Sequence, residues 1–179
     1  GVFVNSGSSA CLLAIAALDL PKGSKIITPA CTFSTTLAPI IQLGYVPVFV
    51  DVDLTTYCAT VDDIMAVIDD DVKAIMVPNL IGNKPDWDKL KTSLNSIGRS
   101  DIFVIEDSAD TITYTENTDV STTSFYASHV ITAGGMGGMV MFNDEKHVKK
   151  ALQYRDWGRI GDNSEDMDDR FAHEVDGIP

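Results

Sequence analysis

Short apolar, β-prone runs alternate with helix-like stretches along almost the whole chain, and few folds accommodate that pattern. Lys25–Thr28, Val46–Val50, Val72–Val77, Ile102–Ile105, Ser121–Phe125 and Met139–Phe142 read as strands. Between them, Cys11–Leu20, Thr35–Leu43, Asp62–Ile68, Pro85–Ile97 and Asp144 to about Tyr154 read as helices. Pro21 and Gly23 follow the first helix, and Gly44 is placed to end the second. Strands separated by helices predict a largely parallel sheet covered on both faces. In such sheets ligands sit beyond the carboxyl ends of the strands. The loops gathered there would be Asn5–Ser9, Ala30–Thr36, Glu106–Asp110 and Tyr126–Gly138.

The 179 residues suffice for one globular domain with a core. Thirteen basic against twenty-six acidic residues leave a formal net charge of −13. That balance opposes attraction to a nucleic-acid backbone or an anionic membrane, so neither is an expected partner. No apolar run approaches the roughly 20 residues of a membrane span, and Gly1–Asn5 does not resemble a signal peptide. Cys11, Cys31 and Cys58 show no paired metal spacing, which predicts a reduced, cytoplasmic setting. A loop-like start so near residue 1, with a loose Phe171–Pro179 finish, reads as a piece of something longer.

Three segments carry unusual chemistry. Asn5-Ser6-Gly7-Ser8-Ser9-Ala10 precedes a helix, where small residues, free N–H groups and hydroxyls can hold a phosphate. Simple N-capping by serine is the competing reading, and no Gly-Lys-Ser/Thr follows to make a Walker loop. Val104-Ile105-Glu106-Asp107 puts two carboxylates at the end of an apolar strand. A carboxylate there can keep a heterocycle's ring nitrogen protonated, or it can simply cap or solvate the strand end. His129, between Ser128 and Val130, is either a hydrogen-bonded core residue or a proton carrier beside a cofactor. The glycines at 134–138 do not form a dinucleotide fingerprint, because the required third glycine falls on Val140.

Taken together, these segments resemble in order and spacing the DegT-type nucleotide-sugar aminotransferases, from Val4 to about Phe171. The resemblance implies an α/β fold: a three-layer α/β/α sandwich with a mostly parallel mixed sheet, the large domain of type I (aspartate aminotransferase-like) pyridoxal phosphate enzymes. Residues 1–160 would be a partial cofactor-binding large domain, and 161–179 an acidic connecting segment toward a missing C-terminal small domain. It further implies phosphate contacts from Gly7, Ser8 and Ser124, and stacking of Phe33 on the cofactor ring. Asp107 would pair with the pyridine nitrogen, and Asp110 would lie near the ring hydroxyl. The family's dimers imply a homodimer here.

Five residues beyond that serine, the aminotransferases carry the lysine that holds the cofactor as a Schiff base; here the position is His129. Imidazole cannot make that bond but can move protons. This exchange, with Val4–Ala10 and Arg155-Asp156-Trp157-Gly158-Arg159, resembles the sugar 3-dehydrase branch. That branch uses pyridoxamine phosphate to remove the 3-hydroxyl of a 4-keto-6-deoxy nucleotide sugar. The implied function is a pyridoxamine/pyridoxal phosphate-dependent 3-dehydrase in deoxysugar and cell-surface polysaccharide synthesis, with His129 as acid and base. A nucleotide-sugar aminotransferase and a non-catalytic cofactor-binding relative are the alternatives, and a fragment need not be active alone.

One subgroup of the branch binds an iron–sulfur centre through cysteines just after the Arg-Asp-Trp-Gly-Arg string. Ile160–Phe171 contains no cysteine, so no such cluster is expected. Its acidic residues, Asp162, Glu165, Asp166, Asp168 and Asp169, lack EF-hand spacing and read as a solvated loop, with no metal site expected. Cys11 and Cys31 read as buried packing residues and Cys58 as partly exposed, with His147 on the surface and His173 in the tail. Trp87 and Trp157 read as packing residues.

Overall fold

Ser6 starts the first helix earlier than its apolar run suggests. Its extended backbone and its hydroxyl, which accepts the Ser9 N–H at 3.1 Å, cap α1 (Gly7–Ala16). The computed structural model describes residues 1–112 and 115–158. After β1 (Val2–Val4) and α1 come β2 (Lys25–Pro29), α2 (Ser34–Gln42), β3 (Val46–Val50), α3 (Val61–Ala66) and β4 (Val72–Pro78). A 3-10 turn at Leu80–Gly82 leads to α4 (Trp87–Ser96), β5 (Phe103–Asp107), β6 (Val120–Ser124), β7 (Gly138–Phe142) and α5 (Glu145–Arg155). The expected connecting segment 161–179, with its acidic cluster and His173, lies outside the described residues, as does Arg159.

The strands form one mixed sheet in the order β1-β7-β6-β5-β4-β2-β3. Pairings from β3 through β6 are parallel, and β7 alone runs against its neighbours. Successive side chains on each strand point to opposite faces, which builds two cores. Ile26, Ala74, Met76, Ile105 and Val140 pack with the apolar side of α1 and with Ala151 of α5. Ile27, Ile75, Val77 and Val104 pack with Ile64 of α3 and with Trp87, Leu90 and Leu94 of α4. The sandwich therefore has three layers, as expected. The carboxyl ends of β1 to β6 and the start of β7 lie along one edge, so the loops singled out in the sequence converge there.

Four local expectations are corrected. His147 is only 7% exposed: its Nδ1 meets the Ala17 carbonyl oxygen at 2.9 Å, and its ring packs against Phe103 and Phe142. Lys146 and Lys149 point outward and Lys150 reaches across to Asp19, while position 147 falls on the inner side of α5. Cys31 is exposed in the loop after β2, and Cys58 is buried. Trp157 stands 80% exposed at a left-handed φ of 59° rather than packing in a core. Trp87 does pack α4 to the sheet.

At the edge of the site Gly138 lets two segments touch. A Cβ there would overlap Ser6 O and come within 2.7 Å of Gly7 N. Gly138→Ala is therefore expected to cost about 1–3 kcal/mol of stability, measured by denaturant unfolding, because backbone rather than a flexible side chain must yield.

Candidate active site

Asp107 ends β5 on the face shared with α1 and α2, and only 7% of it is exposed. Thr36 Oγ1, in the first turn of α2, donates to its Oδ2 at 2.8 Å. The Ala109 N–H donates to Oδ1 at 3.2 Å. Burial pushes the Asp107 carboxyl above the usual carboxylate range, Thr36, the Ala109 N–H and the Cys11 thiol pull it down, and Asp110 adds a further upward push. Among the described residues no cation pairs with it. A buried carboxylate held by neutral donors alone is stabilised by a positive partner, such as a protonated ring nitrogen. Its neighbour Glu106 faces the other core and is bound by Ser121 and Asn79, which separates the two carboxylates at this strand end.

The Asn5–Ser9 loop meets this carboxylate's surroundings from the side. Ser9 Oγ donates to Asn5 Oδ1 at 2.6 Å, and Ser8 Oγ donates to Thr35 Oγ1 at 3.1 Å. A Cβ on Gly7 would come within 2.7 Å of Ser124 Cβ, so only glycine admits this approach of α1 to the end of β6. Capping and anion binding are compatible here. Ser6 takes the Ser9 N–H, while the first turn of a helix still presents further N–H groups to a ligand.

His129 is held by a backbone turn in which its N–H donates to the Tyr126 carbonyl at 3.0 Å. Its ring packs edge-on to Tyr126, with centroids 5.8 Å apart, and Nε2 lies 3.7 Å from Asp110 Oδ1. Nδ1 is buried without a hydrogen-bond partner. Phe33, in the β2–α2 loop, is 68% exposed, and the neighbouring Thr32 Oγ1 is buried and unpartnered. Buried polar atoms without partners are uncommon, and these two fit a polar ligand at this edge. Gly7, Ser8, Phe33, Asp107, Asp110, Ser124 and His129 thus all belong to one edge of the sheet. Among the described residues no group of three His, Cys, Asp or Glu side chains is arranged to hold a metal ion. Nor is any helix there long and apolar enough to cross a membrane.

A family model for the DegT/DnrJ/EryC1/StrS aminotransferases matches residues 1–178. The chain belongs to that family. It is 39% identical over 171 residues to a dTDP-4-dehydro-2,6-dideoxy-D-glucose 3-dehydratase of Saccharopolyspora spinosa, covering 87% of this chain and 36% of the relative. It is 34% identical to a UDP-N-acetyl-3-dehydro-alpha-D-glucosamine 3-aminotransferase of Acidithiobacillus ferrooxidans, covering 88% of this chain and 44% of the relative. A crystal structure of GDP-4-keto-6-deoxymannose-3-dehydratase with a trapped PLP-glutamate geminal diamine superposes with a TM-score of 0.85 at 31% identity. That match covers 99% of this chain and 50% of the other. The chain spans less than half the length of these curated relatives.

Thr36 and Asn79 were not among the residues singled out from the sequence. Thr36 is the buried one of three hydroxyl residues, Ser34 to Thr36, that open α2, and Asn79 is the polar residue where β4 leaves the sheet. Both signals are present, but only the long-range contacts give them meaning.

Proposed function

We propose that this chain is the cofactor-binding part of a pyridoxamine/pyridoxal phosphate-dependent 3-dehydrase acting on a 4-keto-6-deoxy nucleotide sugar. The observation that carries this reading is the imidazole of His129, with one nitrogen facing Asp110 and the other buried and unpartnered. Relatives named as 3-dehydratases of such sugars support it.

Pyridoxamine phosphate, when bound, supplies an amine that condenses with the sugar's keto carbon and a ring that accepts electrons from the adjacent carbon. Asp107 holds the ring nitrogen protonated, and the positive charge in turn relieves the strain of a buried carboxylate. Gly7 and Ser8 at the start of α1, with Ser124, bind the phosphate. Phe33 supplies a flat apolar face. His129 takes a proton at the carbon bearing the amine and returns one to the departing 3-hydroxyl, while Asp110 fixes the Nε2 side of its ring. With no cysteine in Ile160–Phe171, hydrolytic release with loss of ammonia is favoured over reduction through an iron–sulfur centre. Phe33, Ile81, Tyr126, Val130 and Met136 are exposed apolar side chains, and they support a homodimeric active form.

An aminotransferase is the second reading, supported by the 34% identical aminotransferase relative. The test is incubation of the protein with pyridoxamine phosphate and a 4-keto-6-deoxy nucleotide sugar, followed by mass spectrometry of the sugar. Loss of oxygen at carbon 3 without a stable amino sugar is the expected result. A stable amino sugar would establish the transferase instead, and failure to bind either cofactor form would leave a non-catalytic relative.

A further inference from the structure

Asn79 is the most heavily bonded side chain behind the site, and the mechanism above does not use it. It is 1% exposed, one residue past the end of β4. Trp87 Nε1 donates to its Oδ1 at 3.1 Å, which fixes the amide so that Nδ2 faces the next strand. From there Nδ2 donates to Ser108 Oγ at 2.7 Å and to Glu106 Oε2 at 3.2 Å. Its main chain bonds the same segment: Asn79 N–H donates to the Asp107 carbonyl at 2.9 Å, and Thr111 Oγ1 donates to the Asn79 carbonyl at 2.9 Å. Residues 106, 107, 108 and 111 are thus all tied to one asparagine, and they bracket the two carboxylates of the site, Asp107 and Asp110.

We propose that Asn79 is a positioning residue, which fixes the 106–111 segment and so sets the approach of Asp110 to His129. The inference rests on the reading of His129 as the working imidazole. Only a primary amide answers all the side-chain demands at this point, since it must accept from an indole and donate to both a hydroxyl and a carboxylate. With the amide removed, Glu106 and Ser108 each lose a buried donor and the Trp87 indole N–H loses its acceptor, and the turn carrying Asp110 is left held by fewer bonds.

The test needs no knowledge of the sugar. Diethylpyrocarbonate modification of His129 is followed by peptide mass spectrometry and normalised to the buried His147, in the parent and in Asn79→Ala and Thr111→Val. The His129 rate is expected to rise about threefold in Asn79→Ala as the turn loosens, and less in Thr111→Val, which removes a single bond at the same turn. The absorption band of bound pyridoxamine phosphate is expected to shift in the same two variants. A merely structural role would lower the melting temperature and leave both readouts at parent values, which would overturn the proposal. Should Asn79→Ala fail to fold, Ser108→Ala, which removes the amide's own partner at that turn, decides instead by the same two readouts. Failure of the functional reading shows separately, as absence of protection of His129 by pyridoxamine phosphate in the parent protein.

Discussion

His129→Lys is expected to give a chain to which borohydride fixes pyridoxal phosphate covalently at residue 129, where the parent takes up no label. The backbone turn from Tyr126 presents position 129 toward the loop that carries Asp110, and the side chain is held between Tyr126 and Asp110. A lysine amine placed there can attack the cofactor aldehyde, whereas an imidazole cannot form the reducible bond. The same substitution removes the proposed proton carrier, so loss of oxygen from carbon 3 should fall by about 10²–10⁴-fold. Peptide mass spectrometry after reduction reads the first effect and product analysis the second. A folded variant that gains no label would place residue 129 away from the cofactor.

Asp107→Asn is expected to make the cofactor-free protein more stable while weakening pyridoxamine phosphate binding. Burial raises the folded-state pKa of Asp107 above its unfolded value. Between the two values the folded chain retains a proton that the unfolded chain has released. Stability therefore falls as pH rises through that window, and the deficit persists above it. Asparagine never ionises, and it can still accept from Ala109 N–H. The variant should gain about 1 kcal/mol at neutral pH and lose that part of the pH slope, as read by urea unfolding across pH. Loss of the charged partner should weaken binding of pyridoxamine phosphate by about 10- to 100-fold in an absorbance titration. A variant that is less stable at neutral pH and binds like the parent would contradict both assignments of Asp107, as strained carboxylate and as ring partner.

The strands were the most legible part of the sequence, because a strand buried on both faces is an apolar run bounded by turn residues. Val46–Val50 is found where expected, and the other anticipated strands shift by one or two residues at their ends. β1 was not legible: three residues become a strand only by pairing with β7, far along the chain. The start of α1 was misplaced to Cys11 because Gly7, Ser8 and Ser9 have loop-like composition, and the cap at Ser6 overrides it. The family resemblance, in order and spacing, grouped Asp107, Ser124 and His129, and the sheet brings all three to one edge. What escaped was mutual support. The hydroxyl of Thr36 on Asp107, the amide of Asn79 behind it and the inward turn of His147 all depend on partners far apart in sequence.

The reversed strand β7 gives residue 129 an unusual mooring. Because β6 and β7 are adjacent and opposed, residues 125–137 close on themselves, with the Phe125 N–H on the Gly137 carbonyl and the Thr132 hydroxyl on the Phe125 carbonyl. An amine or an imidazole hung from that closed stem draws on the same scaffold without rebuilding it. On the reading proposed above, inheritance of the architecture and choice of reaction are separable traits, and chemistry can change at one side chain while every strand stays in register.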